Sequence, residues 1–94
     1  MALHLEAKTA ILATFIQDLG AEVSITSSNP LTTQDDVAAA LAKKVSHVYA
    51  WRGETEEEYF DNIRRVLNDS PDIIVDDGAD LIVEAHKRLS LIHI

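Results

Sequence analysis

Apolar residues recur along the chain with two alternating spacings, one typical of helices and one typical of strands. The three- and four-residue spacing predicts helices, and short β-branched or continuous apolar runs predict strands. On this basis the helices cover residues 7–19, 33–44, 55–67 and 79–87, and strands cover residues 22–26 and 48–51. Residues 72–75 are a fourth strand or strand stub, and residues 1–3 are a strand stub.

Local end signals support these elements. Gly20 follows the first helix, where a left-handed conformation costs a glycine little. Thr33 is predicted to cap the second helix. Thr55 and Glu58 have the three-residue separation of a capping box at the start of the third helix.

Strands that alternate with helices through short connections predict a parallel sheet with right-handed crossovers. We therefore expect an α/β fold, a Rossmann-like or flavodoxin-like parallel sheet with flanking helices, truncated. Ninety-four residues suffice for one small domain.

Polar residues gather after each predicted strand, at the edge where ligands bind in open α/β sheets. They are His4 and Glu6, residues 27–33, residues 52–54, and the DDGAD motif at 76–80. The loops of the opposite edge carry little beyond turn residues. Each feature also has a purely structural explanation: Asp76 could cap the last helix, and Thr32, Thr33 and Gln34 could be helix caps only.

Composition narrows the choice of partners. Sixteen acidic residues against eight basic ones give a net charge of −8, which disfavours a nucleic-acid partner. The chain has no cysteine, no signal-peptide pattern at its start and no apolar stretch long enough to cross a membrane. We expect a cytoplasmic protein without membrane contact.

No motif for a metal or a cofactor is present. The chain lacks the spacings of zinc and EF-hand sites, and it lacks glycine-rich phosphate loops. We therefore expect neither a metal site nor a cofactor-binding residue in this segment.

Five stretches together resemble the adenosylhomocysteinase family. They are HLEAKTA at 4–10, GAEV at 20–23, SNPLTTQDDVAAAL at 28–41, VYAWRGET at 48–55 and DDGADL at 76–81. The version EAKT at residues 6–9 looks like the archaeal and thermophilic-bacterial branch of the family.

The resemblance implies that residues 1–88 are part of the substrate-binding α/β domain of a longer enzyme. Members of the family reversibly hydrolyse S-adenosyl-L-homocysteine to adenosine and L-homocysteine. The reaction proceeds by NAD-dependent oxidation, elimination, hydration and re-reduction. NAD would be bound by a part of the parent enzyme that is missing here, the parent would be a homo-oligomer, and this segment alone would be inactive.

The resemblance also implies site residues. His4 and Asp77 match the family's acid/base pair. Glu6, Thr9, Thr32 and Gln34, together with Asp77, match positions that line the nucleoside pocket. Asp80 matches a family aspartate, which we expect to orient Asp77 or its loop.

Two features depart from the family pattern. Val45 stands where a glycine is common, so that turn must differ or be strained. Residues 89–94 (LSLIHI) are interpreted as a non-native or truncated tail, either the start of a true strand or translated read-through.

Two other functions remain open on the residues alone. One is a receiver-like signalling module whose acidic cluster binds Mg²⁺, and the other is a nucleoside-binding module without catalysis. A receiver places its acidic pair after the first strand, whereas the pair here follows the fourth predicted strand.

Overall fold

The computed structural model describes the backbone of residues 1–92 and the side chains of residues 1–87. Within this range, strands and helices alternate as predicted up to α3, and α4 follows α3 without a full strand between them. The elements are β1 (Ala2–Leu3), α1 (Ala7–Asp18), β2 (Ser24–Ser27), α2 (Asp35–Leu41), β3 (His47–Tyr49), α3 (Glu56–Asn68) and α4 (Asp80–Ile92). No helix in residues 1–92 is long and apolar enough to cross a membrane.

The three strands form a parallel sheet in the order β1-β2-β3. Ala2 pairs with Thr26, and Ile25 pairs with Val48. On the other side of β1, Ala2 forms a parallel bridge with Asp76. The spatial order is therefore β3, β2, β1 and then the segment at residues 75–77, which confirms the expected Rossmann-like arrangement.

The fourth predicted strand is reduced to this segment at residues 75–77. The Ala2 N–H donates to the Val75 carbonyl at 2.9 Å, and the Asp77 N–H donates to the Ala2 carbonyl at 3.0 Å. Of the two alternatives expected for residues 72–75, a full strand or a stub, a full strand does not form, and β1 pairs with this part of the chain only through Ala2. Ile73 consequently remains 81% exposed.

Helices cover both faces of the sheet, and each face has its own core. The core beside α1 and α2 centres on Leu5, Ile25 and Leu41. The core beside α3 and α4 centres on Ile63 and Leu81. Consecutive strand residues point to opposite faces, so Met1 packs against the first core while Ala2 belongs to the second.

Helix α1 has the predicted position, but most of its large apolar residues do not face the core; Ile16 is the exception that packs against the first core. Ile11, Phe15 and Leu19 are 71%, 60% and 73% exposed. The small Ala13 is the fully buried residue of this helix. The helical spacing of apolar residues therefore predicted the helix and left open which side is buried.

Helix α2 is shorter than predicted. Thr33 does not cap it, because its hydroxyl is buried and donates to Ser27 Oγ at 2.8 Å. Gln34 occupies the N-cap position instead. After the helix, Val45 has no positive φ and is buried in the first core. The turn thus differs from the glycine turn of the family pattern and carries no strain at this residue.

Helix α3 has the predicted capping box. Thr55 Oγ1 accepts from the Glu58 N–H at 3.1 Å, and Glu58 Oε1 accepts from the Thr55 N–H at 2.9 Å. Helix α4 continues through Ile92, so the first four residues of the predicted tail are helical and do not begin a strand. Residues 93 and 94 lie outside the described residues.

Candidate functional site

Four loops meet at the carboxyl edge of the sheet, which we define as the loops after β1, β2, β3 and residues 75–77. Backbone hydrogen bonds tie the first three together, and the His4–Asp77 contact joins the fourth to them. The Gln34 N–H donates to the Leu5 carbonyl at 3.0 Å, and the Gly53 N–H donates to the Pro30 carbonyl at 3.0 Å. The carboxyl edge is therefore one connected surface, as the strand–helix alternation predicts.

His4 and Asp77 lie side by side on this surface. His4 Nε2 is 3.4 Å from Asp77 Oδ2. His4 follows β1, and Asp77 ends the neighbouring segment at residues 75–77. The two residues therefore flank the point where the strand order reverses, which is where open α/β sheets form their ligand crevice. The side chains are 45% and 61% exposed, so both are open to a ligand.

Thr32 holds the other side of the His4 ring. Its Oγ1 is 2.7 Å from His4 Nδ1 and also 3.1 Å from the Asn29 carbonyl, to which it can donate. The loop after β2 thus fixes the orientation of an imidazole that belongs to the loop after β1. Thr32, predicted to line the pocket, is placed at the centre of the site.

The single proton of the Thr32 hydroxyl limits the possible tautomers of His4. When the hydroxyl donates to Nδ1, the neutral ring carries its hydrogen on Nε2 and directs it at Asp77. When the hydroxyl donates to the Asn29 carbonyl, its oxygen can accept a hydrogen from Nδ1.

Asp77 precedes a turn with unusual backbone geometry. Gly78 has φ of 101° and Ala79 has φ of 71°. A positive φ suits glycine, but it costs a residue with a Cβ about 1–2 kcal/mol. The turn ends at Asp80, and Asp76 Oδ2 accepts from the Ile82 N–H at 3.1 Å. This bond confirms the structural explanation of Asp76, which is that its side chain caps the start of α4.

The remaining predicted residues lie on the segments that follow β1 and β2. Glu6 and Gln34 are the N-caps of α1 and α2, and neither side chain caps its helix, so both remain exposed. Thr9 is partly buried in the first turn of α1. The bond between the Gln34 N–H and the Leu5 carbonyl draws Gln34 toward Glu6. The side chains of Glu6 and Gln34 are therefore open to solvent at this edge.

Sequence reasoning missed Tyr59 as part of this surface. Tyr59 lies in α3, is 8% exposed, and donates its hydroxyl proton to Asp80 Oδ2 at 2.7 Å. Burial is the main cause that raises the pKa of the Tyr59 hydroxyl, followed by the bond to Asp80. In the sequence, Tyr59 has the helical spacing of the apolar residues Ile63 and Val66, which predicts a core position and gives no sign of a polar contact.

Glu54 is a second residue that sequence reasoning missed. It is 7% exposed, its Oε2 accepts from Asn62 Nδ2, and its Oε1 is buried without a partner among the described residues. Burial raises the pKa of the Glu54 carboxyl, and the bond from Asn62 partly opposes that rise. One signal was available: Asn62 is a polar residue within the otherwise apolar stripe of α3.

Acidic residues at the edge do not assemble into a metal site. In residues 1–92, no three histidine or acidic side chains are grouped so as to hold an ion. A receiver-like module would need such a group, so the described residues do not support that alternative.

Comparison with known proteins adds evidence independent of this geometry. The sequence model of the family described as S-adenosyl-L-homocysteine hydrolase matches residues 1–92. The chain is 63% identical over 93 residues to the S-inosyl-L-homocysteine hydrolase of Methanocaldococcus jannaschii, covering 98% of the chain and 22% of that relative.

Two further relatives also match most of the chain at high identity. Identity is 65% over 88 residues with the S-inosyl-L-homocysteine hydrolase of Methanopyrus kandleri, covering 94% of the chain and 21% of that relative. Identity is 54% over 86 residues with the adenosylhomocysteinase of Sulfolobus acidocaldarius, covering 92% of the chain and 21% of that relative. The chain therefore spans about a fifth of the length of the curated relatives that it matches.

Proposed function

Because the chain belongs to the S-adenosyl-L-homocysteine hydrolase family, we propose that the full-length protein containing it hydrolyses an S-nucleosyl-L-homocysteine to a nucleoside and L-homocysteine. The substrate of first choice is S-adenosyl-L-homocysteine. The observation that carries this proposal is the group formed by His4, Asp77 and Thr32 where the strand order reverses. The chain supplies part of the substrate-binding domain.

In this proposal, His4 and Asp77 are the acid/base pair. Hydrolysis of the thioether breaks the C5′–S bond, forms a C5′–O bond with water, and places a proton on sulfur. Protons must therefore leave one substrate atom and reach another. A histidine and a carboxylate in contact, both open to solvent, are suited to this task because each can hold and release a proton. Thr32 keeps the imidazole aligned.

The nucleoside would lie beside this pair, against Glu6, Thr9, Thr32 and Gln34. The exposed side chains of Glu6 and Gln34, neither of which caps its helix, support this placement. Hydroxyl, carboxylate and amide groups at one edge are suited to hydrogen-bond a ribose and a purine base.

NAD is implied as the cofactor by the family resemblance, but the residues of this chain do not fit it. The glycines are Gly20, Gly53 and Gly78, each in a separate turn with positive φ. A dinucleotide cradle needs several glycines in one loop at a helix N-terminus. We therefore assign NAD to the part of the full-length protein outside this chain and attribute no step here to it.

S-inosyl-L-homocysteine is the second candidate substrate. Three relatives named for it are 62% to 65% identical to this chain, although a fourth is 55% identical, and four relatives named adenosylhomocysteinase are 49% to 56% identical. The two bases differ at position 6, where adenine donates from an amino group and hypoxanthine accepts at an oxygen. Glu6 can accept and Lys8 can donate, and both are exposed at the start of α1.

Turnover of the two substrates tests the proposal directly. The assay uses the full-length protein containing this chain, or a chimera in which the chain replaces the matching 93 residues of the M. jannaschii relative; we call either one the full-length enzyme. Each substrate is supplied separately with NAD, and nucleoside and thiol are quantified. Equal amounts of homocysteine and either adenosine or inosine are expected.

Absence of product from both substrates would refute the hydrolase proposal. Binding of adenosine or inosine in calorimetry without turnover would favour the non-catalytic nucleoside module instead. We also propose a cytoplasmic location and a homo-oligomeric full-length enzyme. Cell fractionation and light scattering test these two points.

A further inference from the structure

The position of Asp77 depends on a turn that the local sequence does not favour. Residues 78 and 79 both have positive φ, and Ala79 has a Cβ that disfavours this conformation. Such a conformation persists only where surrounding contacts hold it. The contacts that hold this turn therefore determine where the Asp77 carboxylate lies relative to His4.

The turn is held at both ends. At its start, the Asp77 N–H donates to the Ala2 carbonyl at 3.0 Å. At its end, Asp80 Oδ2 accepts the Tyr59 hydroxyl at 2.7 Å. The first contact belongs to the sheet, whereas the second comes from α3, on the far side of the buried core. Tyr59 thus fixes the end of the turn to a rigid helix.

The Tyr59 hydroxyl also reaches the loop after β2. It lies 3.3 Å from the Ser28 carbonyl, in the loop that carries Thr32. The hydroxyl has one proton and donates it in the shorter hydrogen bond, to the Asp80 carboxylate, because hydrogen bonds to carboxylates are stronger than those to carbonyls. Because burial raises the pKa of Tyr59, the hydroxyl stays protonated and remains a donor at neutral pH.

We propose that Tyr59 is a positioning residue that sets the His4–Asp77 contact by holding Asp80 at the end of the strained turn. It touches neither His4 nor Asp77 and acts through the backbone of residues 78–80. The proposal rests on the proposed function, because its consequence is measured as hydrolysis.

Tyr59→Phe in the full-length enzyme is the first test. The variant keeps the ring in the core and removes the hydroxyl. We expect kcat to fall about tenfold or more, the scale of a lost hydrogen bond to a charged group, with KM changed less than about threefold. Asp80→Asn, which weakens the same bond from its other end, should reproduce the loss if Tyr59→Phe folds poorly.

Tyr49→Phe is the matched control. Tyr49 also donates its hydroxyl to a carboxylate, Asp69 Oδ2 at 3.1 Å, but Asp69 follows α3 and lies away from the carboxyl edge. Removing this hydroxyl deletes the same kind of bond outside the site. We expect kcat of Tyr49→Phe to equal that of the wild type.

Ala79→Gly provides a readout that a purely structural role would not affect. Glycine adopts a positive φ without strain, so the turn needs less support. Tyr59→Phe should therefore lower kcat less in the Ala79→Gly background than in the wild type. An equal loss in both backgrounds, or a kcat of Tyr59→Phe within twofold of the wild type, would overturn the positioning role. If the wild-type enzyme hydrolyses neither substrate, the proposed function itself has failed.

Discussion

Asp77→Asn in the full-length enzyme separates a catalytic role of Asp77 from a structural one. The substitution keeps the size of the side chain and removes its charge and its ability to take up a proton. The backbone contact of residue 77 with Ala2 is unaffected, because it uses the N–H group. The local fold should therefore persist in the variant.

The expected effects on stability and on catalysis differ widely in size. His4 and Asp77 are 45% and 61% exposed and 3.4 Å apart, so their attraction is screened by solvent. An ion pair of this kind contributes about 0–1 kcal/mol to stability. Loss of a general acid or base lowers turnover by about 10²–10⁴-fold, equivalent to about 3–5 kcal/mol in the activation free energy.

The assay measures kcat from thiol release and the free energy of unfolding from urea titration on the same preparation. Asp72→Asn is the matched control. It makes the same change of charge five residues earlier, at an exposed position on the opposite edge. We expect Asp77→Asn to lose at least about a hundredfold in kcat with stability within about 1 kcal/mol of the wild type, and Asp72→Asn to match the wild type in both.

Two results would contradict this reasoning. Turnover of Asp77→Asn within threefold of the wild type would remove Asp77 from the acid/base pair. A large loss of turnover that accompanies an equal loss of stability would show that the residue supports the fold and not the chemistry. His4→Ala should give a loss similar to that of Asp77→Asn, because the two side chains act on the same proton.

Three further predictions follow from individual contacts. Thr32→Val should lower kcat about tenfold, because it removes the hydroxyl that orients the His4 ring. Thr32→Ser keeps the hydroxyl and should have the kcat of the wild type. Equal rates in both variants would exclude the orienting role. The pKa of Glu54 is raised above 4.5 in the folded state, so its ionisation destabilises the fold as pH rises through the folded pKa. Glu54→Gln should therefore be more stable than the wild type in urea at about pH 8 and should lose that advantage below about pH 4. A stability difference that does not change with pH would contradict this. Thr55→Ala should reduce the free energy of unfolding by about 1 kcal/mol through loss of the capping box without changing KM, and an unchanged unfolding midpoint would show that the cap contributes nothing.

The sequence predicted the elements that depend on local signals. The capping box at Thr55 and the glycine end of α1 at Gly20 both occur, because they need only a few neighbouring residues. The convergence of the strand ends was also predictable, because it follows from strand direction in a parallel sheet. His4 and Asp77 are brought together for this reason.

Features that depend on tertiary contacts were not predictable in the same way. Thr33 has the composition of a cap, but a buried bond to Ser27 uses its hydroxyl. Ala79 gives no sign of a positive φ, because the conformation is imposed by contacts at both ends of its turn. Glu54 is charged and follows a strand, which predicts exposure, yet Asn62 provides a buried partner for it.

The position of the segment at residues 75–77 beside β1 has a consequence for folding. His4 and Asp77 are 73 positions apart along the chain, whereas Thr32, the other partner of the His4 ring, is only 28 positions away. Contacts between residues so distant along the chain are slow to form. We therefore expect the His4–Asp77 contact to form after the His4–Thr32 contact.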